Sequence, residues 1–164
     1  NEKKLTEIHN YEFKIIDFYM KDGSIRGIIN IFIRLLEEIE KNIQRERLSR
    51  LKVNYISYKE FKKNNFKKDE AGWLIVLNYP RDESFYDTPH KDVTNKFEIF
   101  FVSPSQVIEV ASCGIVGINI NDKMYIKNDE CFVSKKVLNE KFIGIGVGVE
   151  RLIYLYESFK NSEN

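Results

Sequence analysis

Residues Gly144 to Leu155 read GIGVGVERLIYL, and this stretch decides the fold. Gly144, Gly146 and Gly148 alternate with Ile145 and Val147. Successive side chains of a strand point to opposite faces, so the alternation describes a strand with one apolar face and one face without side chains. Val149, Leu152, Ile153 and Tyr156 then recur at helical spacing. The stretch is a strand running into a helix, with Glu150 and Arg151 in the first turns. Something must come close to the bare face. It is either the close packing of a strand–helix junction, with Arg151 on a solvated face, or a flat ligand with Arg151 stacked on it or touching a phosphate. Two familiar glycine loops are excluded. No Lys-Ser or Lys-Thr pair follows, and GxGxG is not the GxGxxG of dinucleotide-binding turns.

The segments upstream supply partners for this strand. Glu12 to Met20 is rich in Ile, Phe and Tyr and reads as a strand. The turn KDGS follows, and Ser24 is placed to cap a helix. Ile25 to about Leu51 reads as one long helix with the stripe Ile28, Ile29, Phe32, Leu35, Leu36 and Ile39. Arg45, Arg47 and Arg50 suit the negative end of its dipole. Short strands are expected at Val53–Ser57, Trp73–Leu77, Lys96–Val102 and Val107–Ala111, with Gly114–Ile120 extending the last. SPSQ makes a hairpin of the last pair. YKEFKK and Val133–Lys141 read as helices. The sum is an α+β fold, an antiparallel β-sheet flanked by helices.

The chain has 164 residues, enough for one domain with a real core, and 43% of them are hydrophobic. A net charge of +1 excludes a strong field aimed at nucleic acid or membrane. Lys62, Lys63, Lys67 and Lys68 form a local basic stretch that reads as a solvated loop or helix face. Cys113 and Cys131 lack a CxxC grouping, which fits a reduced, cytoplasmic protein. His9 and His90 sit in no zinc pattern. No apolar run has membrane-spanning length. The chain opens at Asn1 with neither an initiator Met nor a signal-like segment, which reads as a fragment or a missing start.

Five segments, in order, resemble class II aminoacyl-tRNA synthetases. GIGVGVERL resembles their motif 3, GxGxGxER. HNYEFKIIDFYM (His9–Met20) resembles the second half of motif 2, H-x-x-E-F with a further acidic residue. VNYISYKEF and LIVLNYPRDESFY look like the ITYxEA and FVTDYPxxxxxFY segments of the aspartyl and asparaginyl enzymes. KFEIFF with IEVASCG looks like their pairing of a metal-binding Asp with a later Glu. The resemblance implies an antiparallel sheet with helices, binding ATP and an amino acid on the sheet. It also implies a reaction through an aminoacyl-adenylate, with tRNA as acceptor.

Site residues carry over on that resemblance one at a time. Gly144, Gly146 and Gly148 let adenine and ribose approach, and Arg151 stacks on adenine near the γ-phosphate. Phe13 matches the aromatic on adenine's other face, and Glu12 is placed for the adenine edge or the tRNA end. Glu98, in place of the usual Asp, and Glu109 make a Mg²⁺ site, since Mg²⁺ takes hard oxygen ligands and bridges phosphates. Glu109 and Arg151 are the residues expected to carry catalysis, by charge neutralisation and positioning. Ser112 matches a small hydroxyl residue of the motif. Ser112, Cys113 and Val116 are expected to line the amino-acid pocket.

The departures are specific. The motif 2 arginine and the dimer element, motif 1, do not appear in this stretch; a homodimer is expected if the whole protein carries motif 1. Val116 stands near a position that pairs with a carboxylate in aspartyl enzymes, which argues against aspartate as substrate. Glu98 and Glu109 are also further apart than the pattern asks, a difference the SPSQ hairpin is expected to absorb. A synthetase-type enzyme or paralogue therefore stands against a non-catalytic nucleotide- or tRNA-binding module with the same fold.

Overall fold

The computed structural model describes residues 13–43, 48–63, 69–80, 96–117 and 141–160. In chain order these form β1 (Ile15–Lys21), α1 (Ile25–Ile43), β2 (Val53–Ser57), α2 (Tyr58–Lys63), β3 (Gly72–Leu77), β4 (Phe97–Val102), β5 (Val107–Gly117), β6 (Lys141–Gly148) and α3 (Val149–Lys160). The strands make one six-stranded sheet in the order β1-β6-β5-β4-β3-β2. Neighbours run antiparallel except β2 and β3, which are parallel, with Val53 opposite Trp73. The α+β class holds, and the one parallel pair departs from an all-antiparallel sheet. Its cause is the connection through α2, because parallel neighbours need a crossover rather than a tight hairpin.

Alternation sorts the side chains onto two faces. Trp73, Ile75, Phe97, Ile99, Phe101, Ile143, Ile145 and Val147 join Ile28, Phe32 and Leu36 of α1 and Leu152 and Leu155 of α3 in the main core. Phe32 meets the Trp73 ring edge-on at 5.1 Å. On the opposite face, Leu74, Val76, Phe100 and Val102 form a smaller core with Tyr79, covered by Tyr58 and Phe61 of α2. The run from Trp73 to Val76 is thus buried on both faces, which is why it reads as continuously apolar.

Local chemistry sets the helix ends. Gly27 N–H donates to Ser24 Oγ (3.1 Å) and Ile28 N–H to the Ser24 carbonyl (3.0 Å), so Ser24 caps α1 as expected. Ser57 and Glu60 form a reciprocal capping box on α2: Glu60 N–H donates to Ser57 Oγ (3.3 Å) and Ser57 N–H to Glu60 Oε2 (3.1 Å). The helix expected to reach Leu51 instead ends at Ile43, and Leu48–Leu51 is a turn. The buried Glu40 carboxylate accepts the Leu48 N–H (2.6 Å), the Ser49 N–H (3.0 Å) and the Ser49 hydroxyl (2.5 Å). These donors come from the turn and hold it back against the helix. Arg50 lies in that turn rather than in the helix, where Lys41 is the basic residue of the last turn. Arg45, Arg47 and the expected helix over 133–140 lie outside the described residues, and Lys141 opens β6.

Candidate functional site

The open face near the β1 edge is where the sequence-derived residues gather. One row of the ladder runs Asp17 (β1), Gly146 (β6), Ser112 (β5), Glu98 (β4) and Val76 (β3). The next runs Tyr19, Gly144 and Gly114. Val76 belongs to the smaller core, so both rows face away from α1 and α3. Among the described residues no atom lies within 4 Å of the position a Cβ on Gly114 would take.

A β-bulge brings Glu109 onto this face. Ile99 pairs with Ala111 but Phe100 pairs with Glu109, leaving Val110 as the extra residue. Val110 and Ala111 are both buried in the main core. Alternation restarts after them, so Glu109 and Ser112, three apart, share the open face. The longer spacing between Glu98 and Glu109 is therefore taken up by this bulge as well as by the hairpin. In that hairpin Ser103 N–H donates to the Gln106 carbonyl (2.9 Å).

Arg151 reaches the same place from the first turns of α3. Its aliphatic stem passes Gly148, where a Cβ would lie 3.4 Å from Arg151 Cδ. The guanidinium Nη1 donates to the Glu109 carbonyl (2.8 Å) and lies 3.7 Å from Glu109 Oε1. A neighbouring tether fixes this helix start. Lys14 N–H donates to both Glu150 carboxylate oxygens (3.1 and 3.0 Å), and Val149 N–H donates to the Lys14 carbonyl (3.0 Å). Phe13, just outside this tether, is 64% exposed.

Glu98 is held by two groups the sequence reading did not single out. Tyr79 hydroxyl donates to its Oε2 (2.5 Å), and Lys96 Nζ lies 2.8 Å from its Oε1. Lys96 also sits 4.7 Å from the centre of the Tyr79 ring. Burial, with the Glu98 bond next, pushes the Tyr79 hydroxyl well above its ordinary 10.0, so it remains a donor. Lys96 is legible in retrospect: two residues before Glu98, it shares that residue's face.

The glycine face is partly occupied by the chain itself. A Cβ at Gly144 would fall 2.5 Å from the Tyr19 ring, and one at Gly146 would fall 2.8 Å from Asp17 Oδ1 and 3.2 Å from Ile15 Cγ2. The bare positions seat side chains of the edge strand. Asp17, the acidic residue that follows E-F, is a missed member of the site.

Glu109, Arg151, Glu98, Ser112 and the three glycines are brought together. Cys113 is not. It is buried on the main-core face between Phe97 and Ile145, so it turns away from any pocket over the glycines. Burial pushes its thiol well above 9.0, away from the reactive thiolate. Val116 stands opposite Phe142 in the β5–β6 register. Glu12 lies outside the described residues.

As arranged, Glu98 and Glu109 do not fit a Mg²⁺ site. Each faces a cationic side chain, Lys96 and Arg151 respectively, and cross-strand they stand opposite Ser112 and Phe100 rather than each other. Among the described residues no three His, Cys, Asp or Glu side chains cluster to hold a metal.

An aspartyl-tRNA synthetase from Entamoeba histolytica has a similar structure, with a TM-score of 0.62 at 18% identity. The match covers 94% of this chain and 42% of that one. The fold is synthetase-like, and the chain spans less than half the length of that enzyme. No family model and no curated sequence matches the chain. Among the described residues no helix is long and apolar enough to cross a membrane.

Proposed function

We propose that this chain is part of a synthetase-type module that binds ATP over the glycine face of β6 and activates a carboxylate. The observation that carries this reading is Arg151. It leaves α3 beside Gly148 and delivers its guanidinium to Glu109, on the same open face as Gly144, Gly146 and Gly114. A guanidinium beside a strip without side chains suits a flat purine and its phosphates.

In the reaction, an oxygen of the amino-acid carboxylate attacks the α-phosphorus of ATP. The bond to the β-phosphate oxygen breaks, and pyrophosphate leaves with that electron pair. Arg151 counters phosphate charge, and the exposed Phe13 offers a ring for the base. Ser112 lines the floor where the amino acid lies. The acyl acceptor is tRNA or, in a paralogue, an amine that becomes an amide.

A second reading, a nucleotide- or tRNA-binding module without catalysis, is favoured by Tyr19 and Asp17 lying over Gly144 and Gly146. Calorimetry of ATP, with and without Mg²⁺, comparing the native chain with Arg151→Ala, tests the pocket. Binding weakened by about tenfold or more in the variant supports it, since each tenfold is about 1.4 kcal/mol. Pyrophosphate exchange across amino acids then separates the enzyme from the binding module. No ATP binding by the native chain sinks both nucleotide readings.

A further inference from the structure

The carboxylate expected to hold a metal already holds a cation. Lys96 Nζ is 2.8 Å from Glu98 Oε1, while Tyr79 hydroxyl donates to Oε2 at 2.5 Å. Both oxygens are engaged. The Glu98 side chain is 12% exposed and that of Lys96 21%, so the pair is largely withdrawn from solvent. Such a pair differs from a surface ion pair, because removing one partner leaves a poorly solvated charge. The Tyr79 ring under the ammonium adds a further attraction for a positive charge at this point.

We propose that Lys96 is the resident cation of this face, standing beside Glu98 in the place of a divalent ion. Three features make the exchange unfavourable. An arriving ion must displace an ammonium already bonded to Oε1. Tyr79 presents a hydrogen rather than a lone pair to Oε2. Glu109, the other carboxylate, stands opposite Phe100 rather than Glu98 and faces Arg151. Mg²⁺ keeps several of its waters and binds through one or two free carboxylate oxygens, and both oxygens of Glu98 are already engaged. The charge offered to a nucleotide's phosphates then comes from side chains of the chain itself. That consequence rests on the ATP reading above; the exclusion of metal from Glu98 does not.

The test is a Mn²⁺ titration of the whole chain without nucleotide, followed by the electron paramagnetic resonance signal of the free ion. The native chain and Glu98→Gln are expected to bind Mn²⁺ equally weakly. Lys96→Met is expected to tighten Mn²⁺ binding by about tenfold or more, because Glu98 loses its partner, and Lys96→Met/Glu98→Gln to lose that gain. A native site weakened by Glu98→Gln overturns the proposal. So does a folded Lys96→Met protein that gains nothing. If Lys96→Met does not fold, the comparison of native with Glu98→Gln decides. Because ATP is absent throughout, failure here is distinct from failure of the nucleotide reading.

Discussion

On the helix side of the sheet, Trp73, Phe97, Ile99, Phe101, Ile143 and Val147 are all essentially sealed from solvent beneath α1 and α3. On the other side the same strands carry Leu74, Val76 and Phe100 at one end, then Glu98, Ser112 and the glycines toward β1. The contrast is one of cost. Apolar side chains packed on the first face are stabilised by burial, whereas carboxylates on the second need a cation or a donor each. The open face keeps ion pairs and bare backbone, features that contribute little to a core and suit ligands.

Breaking the helix face is expected to give the largest effect. Phe101→Ala removes a ring that meets Trp73 at 5.8 Å and should cost about 3–5 kcal/mol in urea unfolding. A loss below about 1 kcal/mol would mean that this face is not the main core. Next is Glu40→Ala, which strips the acceptor from Leu48 and Ser49. Their turn also supplies the Leu48 carbonyl to Trp73 Nε1 (2.7 Å). A destabilisation of about 2–3 kcal/mol is expected from losing bonds to a charged acceptor. Tyr156→Phe, which removes only the 3.4 Å contact to Glu40, should cost clearly less.

A pH profile sharpens the same contrast. Burial raises the Cys113 thiol above 9.0, and burial with Glu40 raises Tyr156 above its ordinary 10.0. In the unfolded chain these groups release protons first, so the unfolded state binds fewer protons and stability falls as pH rises. Their contribution is complete below about pH 9 and is lost progressively in the alkaline range. Unfolding curves from pH 8 upward check this, and Cys113→Ala should flatten the first part of the decline. Stability that is level through pH 10 would place the thiol in contact with solvent.

The smallest effect on stability is expected on the open face. Gly146→Ala puts a Cβ against the carboxylate end of Asp17, which can turn away, and against the Ile15 Cγ2 methyl, which must give by a few tenths of an ångström, both on an exposed strand. The cost should stay within about 1 kcal/mol. ATP binding should nonetheless weaken several-fold if the bare strip receives a purine. An unchanged affinity would assign Gly146 to seating Asp17 and nothing more.

Much of the architecture was legible because local patterns persist in the fold. The Val53–Ser57 strand and the YKEFKK helix stand where the sequence places them, and the structure adds the Ser57–Glu60 capping box that starts the helix. GIGVGV followed by ERL is a strand entering a helix as the glycine alternation requires. That junction is what singles out Arg151 in the sequence. Cys113 was misplaced because its neighbours resembled a pocket motif, whereas strand parity, reset by the bulge at Val110, turns it into the core.

The sequence by itself determined the elements, their apolar faces and the glycine strip, since these depend on side-chain period and backbone preference within a few residues. Only the tertiary structure decided the parallel pairing of β2 with β3, the early end of α1 at the Glu40 turn, and the bulge that aligns Glu109 with Ser112. It also decided that Lys96 and Tyr79 hold Glu98. Each of these rests on a contact between segments or a slip in pairing register; side-chain alternation puts Lys96 on the face of Glu98 but does not encode their contact.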